Sequence, residues 1–174
     1  MELRTRFRQL RLPLLAACIL TLSACYEASD MPRPGSTEHD DATVQTTLAA
    51  LDDVRLPPEE LADLYLDDAV ILRPGLPVVR GREAIIELMK EQAAGPALNM
   101  THRMDELTRF KDVLIVQGGV TGTAQPADGS GPFPFSTQNI IIFKRDSELQ
   151  PKIWKVIYNA APPETPDEAD ATTE

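Results

Sequence analysis

Only two cysteines occur in the 174 residues, Cys18 and Cys25, and the rest of the chain has no thiol. That removes disulfides, a cysteine nucleophile and thiolate metal ligands from everything downstream, so a fold there must rest on its own core. Histidine is as scarce, with only His39 and His102. With so few imidazoles a dedicated zinc site is not expected, and no cofactor is. Basic residues are short as well: 17 Lys and Arg stand against 27 Asp and Glu, a formal net charge of −10. A body this acidic repels nucleic acid and anionic lipid headgroups, so neither is an expected partner. The apolar run from Leu12 to Leu22 is too short to span a bilayer as a stable anchor, which takes about 20 residues. There is no Gly-x-Ser-x-Gly nucleophile elbow. The stretch "GGVTGT" is not a phosphate loop, because no lysine follows and it lies within a strand pattern.

What is present at the N-terminus has the layout of an export signal. Arg4, Arg6, Arg8 and Arg11 precede the apolar run, and small residues lead to a cysteine. "LSAC", Leu22 to Cys25, resembles the lipobox of bacterial lipoproteins. The resemblance implies cleavage before Cys25, a diacylglycerol on its thiol and an acylated amine. Each buried methylene of those chains would contribute about 0.8 kcal/mol to membrane binding. The expected partner is then the membrane, through lipid at Cys25. Removing residues 1–24 takes away four arginines and one glutamate and leaves a net charge of −13. Tyr26 follows the cysteine, where an aspartate would favour inner-membrane retention in Gram-negative sorting. In such a cell the expected place is the outer membrane, facing the periplasm.

The expected organisation is a signal over residues 1–24, a lipidated tether over 25–36, a folded domain over 37–160 and an acidic tail over 161–174. The tether, "YEASDMPRPGS" after the cysteine, holds two prolines and a glycine. The tail, "APPETPDEADATTE", has no large apolar group with which to offset ordering entropy.

Within the domain three helices are expected first. Val44, Leu48 and Leu51 stand at i, i+4 and i+7. "LPPEELADLYLDD" opens with Pro58 at a first helical position and Glu59 and Glu60 at the positive end, with Leu61, Leu64 and Tyr65 as its buried face. "GREAIIELMKEQAAG" groups Ile85, Leu88 and Met89, and Gly95-Pro96 stops it. Between the second and third lies a small hairpin, "AVIL", "RPGLP", "VVR". After Pro96 the period becomes two. Leu98, Met100, His102 and Met104 alternate with Asn99, Thr101 and Arg103. "DVLIVQGGVTGTA", with paired glycines at a bulge or bend, then "STQNIIIFKR" and "KIWKVIYN", complete a meander. Helices with a hairpin followed by a meander make an α+β class.

These segments in this order resemble the nuclear transport factor 2-like superfamily, which includes ketosteroid isomerases and SnoaL-like polyketide cyclases. The pieces that carry the likeness are "LADLYLDDAVILRPGLPVVRGREAIIELM", "GGVTGTA" and "IIIFKR" with "KIWKVIYN". The small SnoaL-like domains of unknown function are the most similar. The resemblance implies a curved antiparallel sheet wrapped around three helices, a cone with a ligand cavity at its open end. In the isomerases an aspartate general base stands directly before the proline of the "RPGLP" turn; here Arg73 occupies that place. A guanidinium cannot accept a proton from carbon, so steroid isomerisation is disfavoured. Arg73 reads first as a solvated turn residue, and alternatively as a grip for an anionic ligand group.

Other candidates follow from parity. His102 shares a face with Met100 and Met104, and reads first as a hydrogen-bonded structural residue, then as an acid or base. Tyr65, Gln138, Trp154 and Tyr158 are expected to line the cavity, with Trp154, Val156 and Tyr158 on one face of the last strand. Core packing is an equal reading for Trp154. Asp67 and Asp68 form a carboxylate pair at the expected helix end, Asp105 is one position off the His102 parity, and His39 lies at a helix start. The closing strands are apolar on both parities, Ile140 and Ile142 against Ile141 and Phe143, which suggests a homodimer through the sheet. The functional expectation is a lipid-anchored domain that binds a small ligand or a protein partner without catalysis. The alternatives are a SnoaL-like cyclase, isomerase or dehydratase using His102, and a pure interaction module in an envelope complex.

Overall fold

A computed structural model describes residues 33–160. The export signal, the lipid site at Cys25 and the acidic tail lie outside the described residues. Among the described residues, no helix is long and apolar enough to cross a membrane.

Helix α1, Thr37–Asp52, starts where Ser36 accepts the His39 N–H at 3.2 Å, and Glu38 and Asp40 occupy its positive first turn. Val44, Leu48 and Leu51 are buried, as their spacing predicts. Helix α2 is short, Pro58–Ala62, and strand β1 already runs over Tyr65–Leu72. The helix expected over "LPPEELADLYLDD" is therefore cut in half. The reason is tertiary. The Ile153 N–H donates to Leu64 O at 2.8 Å, and Tyr65 pairs with Ile153. These ladder contacts outweigh a helix propensity of a few tenths of a kcal/mol per residue. Tyr65 is buried as a strand residue, and Asp67 and Asp68 lie exposed on that strand rather than at a helix end.

The hairpin forms as read, with β1 pairing antiparallel to β2, Val79–Arg80. Helix α3, Arg82–Ala94, buries Ile85, Leu88 and Met89 and ends at Gly95. Strands β3, Ala97–Phe110, β4, Val113–Gln125, β5, Phe133–Arg145, and β6, Pro151–Ala160, make the antiparallel meander. The sheet order is β2-β1-β6-β5-β4-β3. β1 lies parallel to β6, so the sheet is mixed and not purely antiparallel as expected. The class is α+β as read.

One face of the sheet packs the helices and carries Asn139, Ile141 and Phe143 of β5 with Ile153 and Val156 of β6. Gln138, Ile140 and Lys144 of β5 point to the other side and are exposed. Two bulges set what faces where. Trp154 is the extra residue of β6 opposite Ile142 and Phe143, and Asp105 is the extra residue of β3 opposite Gly118 and Gln117. The bulge expected in the paired glycines thus lies on the facing strand. Gly118 has a different reason to be glycine: a Cβ there would overlap the Arg103 carbonyl oxygen.

Candidate functional site

On the helix-facing side, strand pairing aligns two rows of side chains. His102 of β3 lies beside Val120 of β4, which pairs with Thr137 of β5, which pairs with Ala160 of β6. In the next row Met104, Gly118, Asn139 and Tyr158 follow one another. Leu72 pairs with Ile157, so Arg73 comes level with Tyr158 at the end of β1. Directly opposed residues share a face, which places all of these side chains on the concave, helix-covered side.

The most ordered feature is a carboxylate–imidazole pair. Asp52, the last residue of α1, approaches His102 Nδ1 with Oδ1 at 2.6 Å. Both Asp52 oxygens also accept the His102 backbone N–H, each at 3.0 Å. The His102 side chain is 4% exposed and that of Asp52 22%. A carboxylate accepts, so it holds the proton of a neutral imidazole on Nδ1. Nε2 is then a bare lone pair. It is buried and has no hydrogen-bond partner in the structure. An oriented, unspent imidazole nitrogen of this kind can take a proton from a bound molecule and return it.

The second row is polar and also unspent. Arg73 Nε and both amide atoms of Asn139 are buried without a hydrogen-bond partner, and so is Thr137 Oγ1 in the first row. Burial pushes the Tyr158 phenol up to about 12, against the pull of the Arg73 charge. Burial also raises Tyr65, with Tyr158 adding to it. Both phenols therefore stay neutral near pH 7, and each keeps an O–H to donate. Arg73 is half-buried and turned inward, not the solvated turn residue that its place before Pro74 suggests.

Two of the residues expected in the cavity are elsewhere. Gln138 is exposed on the opposite face, because β5 presents Asn139, Ile141 and Phe143 inward. There it borders a shallow depression of about 330 Å³ with Arg103, Gln117, Ile140, Ile157 and Asn159. Trp154 is carried outward by the β6 bulge, which separates it from Val156 and Tyr158. Its indole N–H donates to Asp68 Oδ2 at 3.3 Å, and Lys155 Nζ sits 4.1 Å from its ring centroid. Asp105, the bulged residue of β3, accepts from Arg103 Nε at 2.6 Å and does not meet His102. His39 Nε2 lies 2.9 Å from Gln150 Oε1 and helps fix α1 to the start of β6. No cluster of three or more His, Cys, Asp or Glu suited to a metal ion occurs among the described residues.

Asp52 was not singled out by the sequence, nor were Asn139 and Thr137. One signal pointed at Asp52. A carboxylate in the last turn of a helix opposes the helix dipole, and no basic residue stands in that turn to offset it. Such an acid needs a donor from elsewhere, and β3 supplies it. Between the end of α1, α3 and the start of β3, an apolar groove of about 280 Å³ is lined by Leu51, Leu56, Leu61, Met89, Leu98 and Met100.

No family model and no curated protein matches this chain. Its fold has many solved counterparts. A ketosteroid isomerase-like protein from Erwinia carotovora atroseptica superposes with a TM-score of 0.65 at 16% identity, over 72% of this chain and 96% of that one. A scytalone dehydratase-like protein from Novosphingobium aromaticivorans gives a TM-score of 0.59 at 15% identity, over 72% and 83%. A nuclear transport factor 2-like protein from Salmonella enterica gives 0.56 at 12%, over 72% and 92%. At such identities the likeness establishes the fold, the nuclear transport factor 2-like cone, and leaves the chemistry to the residues of this chain.

Proposed function

We propose that this is a lipid-anchored envelope protein whose domain binds a small organic molecule on the concave face of the sheet. The observation that carries this reading is the set of buried, unpartnered polar atoms on that face: Arg73 Nε, His102 Nε2, Thr137 Oγ1 and the Asn139 amide. A buried polar group without a partner costs about 1–3 kcal/mol. Several on one face are a standing destabilisation that a bound ligand would relieve. The apolar groove between the end of α1 and the start of β3 would take the body of such a ligand.

Binding is the function these groups support directly. Catalysis is the second reading, and one observation favours it: the Asp52–His102 geometry, which leaves Nε2 poised as a base. A proton taken from a carbon and returned to another carbon gives isomerisation; taken from a carbon next to a hydroxyl-bearing one and delivered to the departing hydroxyl, it gives dehydration, with water leaving. Steroid isomerisation remains disfavoured, because Arg73 stands where that reaction has its carboxylate. The scytalone dehydratase-like neighbour shares the fold and lends the dehydration class its support.

The pocket is tested by a thermal-shift screen of small organic compounds against wild type and Val120→Trp. Val120 lies between His102 and Thr137 and is 4% exposed, so the larger ring would occupy the space between the rows. Compounds that stabilise wild type should lose their effect in the variant. A screen whose compounds bind both proteins equally would sink the reading. Anchoring is tested separately: wild type should partition with membranes and carry the mass of its acyl chains, and Cys25→Ser should do neither.

A further inference from the structure

Arg73 lacks an ion-pair partner among the described residues, and its Nε lies buried without an acceptor. The surroundings are of one kind. Tyr158 stands level with it on β6, since Leu72 pairs with Ile157, and its phenol is neutral. Asn139 pairs with Tyr158 across β5 and β6 and is 4% exposed, with neither its Nδ2 nor its Oδ1 engaged. These three side chains present a guanidinium, a phenolic O–H and an amide N–H from one row of the sheet, with one amide oxygen as acceptor. A cation left uncompensated in a chain of net charge −10 is not short of available carboxylates, yet none is placed on it.

We propose that this row is an anion subsite, and that the ligand of the pocket is a small carboxylic acid with a neighbouring hydroxyl. The inference rests on the reading of the concave face as a ligand pocket. The carboxylate accepts from Arg73, Tyr158 and Asn139 Nδ2, and the hydroxyl donates to Asn139 Oδ1. Each buried atom of the row then has a partner. A planar carboxylate suits the fork of the guanidinium better than a lone point charge would. The rest of the molecule extends towards the row of His102, where Nε2 meets a proton of the ligand. Recognition of the anion at one end thereby positions the other end against the His102 imidazole.

The full chain, purified from membranes in detergent, is titrated by calorimetry with mandelate, with its uncharged amide mandelamide, with benzoate and with inorganic phosphate. Mandelate should bind most tightly. Arg73→Gln should weaken it by about 10–100-fold, the range of a charge-assisted hydrogen bond, and weaken mandelamide by a clearly smaller factor. Tyr158→Phe should weaken mandelate by a smaller factor, and it guards against a folding defect in the arginine variant. Equal affinity for mandelate and mandelamide, or for mandelate with and without Arg73, would overturn the anion subsite while leaving a pocket for neutral ligands. Phosphate binding that outcompetes mandelate and depends on Arg73 would overturn the carboxylic acid assignment. If none of the acids binds, the subsite is overturned, and the compounds from the screen with Val120→Trp decide separately whether the pocket reading falls with it.

Discussion

Arg145→Ala is expected to destabilise the domain by about 3–5 kcal/mol, because it strips the counter-charge from a buried carboxylate. Asp40, in the first turn of α1, is 1% exposed, and its Oδ2 is paired with Arg145 Nη2 at the end of β5. Its other oxygen has no partner. Arg145 also donates to the Lys111 carbonyl in the turn between β3 and β4, so one guanidinium joins the helix to two parts of the sheet. The positive end of α1 favours the Asp40 charge, but by about 0.3–1 kcal/mol, which does not offset the desolvation of an unpaired carboxylate. Removing the acid should cost less. Asp40→Ala leaves a guanidinium that keeps one carbonyl acceptor and is 11% exposed, closer to water than the carboxylate. Replacing both, Asp40→Leu with Arg145→Met, should recover part of the loss, since no charge is then buried. Urea unfolding of the three variants checks the order. A loss under 1 kcal/mol for Arg145→Ala would contradict the burial of the pair.

The elements that were legible in the sequence are those whose local pattern and tertiary role agree. The stripe of Val44, Leu48 and Leu51, the helix from Arg82 stopped by Gly95-Pro96, and the period of two after Pro96 each name one structure, and the fold contains it. Failure begins where local and distant preferences disagree. "LADLYLDD" satisfies a helix pattern until the pairing of Tyr65 with Ile153 is known. The parity of β5 could not be read because both parities are apolar: Ile140 and Ile142 are as good a core face as Ile141 and Phe143. Only the covering helices break that symmetry. A bulge shifts parity by one, which is why Trp154 left the face of Tyr158.

The site was half legible for the same reason. His102, Arg73, Tyr65 and Tyr158 stood out because their types are chemically rare in this chain or sit at a recognisable turn. Asp52 is one of many acids, and its role comes from a contact 50 residues away. Asn139 stands between Gln138 and the apolar run from Ile140 to Phe143, and its amide is conspicuous only once its face is known to be inward. Single-sequence reasoning finds residues with unusual chemistry; it does not find ordinary residues in unusual company.

Asp52→Ala is the variant with the largest expected effect on the site, and it should also unfold the domain more readily, by about 3–4 kcal/mol. The carboxylate accepts from His102 Nδ1 at 2.6 Å and from the His102 N–H with both oxygens. A hydrogen bond to a charged group contributes about 1.5–3 kcal/mol, and each buried donor left bare adds about 1–3 kcal/mol. Partial exposure of Asp52 admits water and keeps the sum below the two extremes. Asp52→Asn separates stability from chemistry. The amide oxygen still accepts the backbone N–H, so the loss should fall to about 1 kcal/mol. Its N–H₂ now faces Nδ1 and donates to it, which moves the ring proton to Nε2. The buried nitrogen Nε2 changes from acceptor to donor, and the base is lost with the fold intact. Nitrogen NMR of the neutral imidazole reads this directly: a bare Nε2 in wild type, a protonated Nε2 in Asp52→Asn. Any acid–base turnover found with a ligand of the pocket should fall by about 10²–10⁴-fold in the asparagine variant. A protonated Nε2 in wild type would remove the base from the site, and His102 would then serve the packing of β3 against α1 alone.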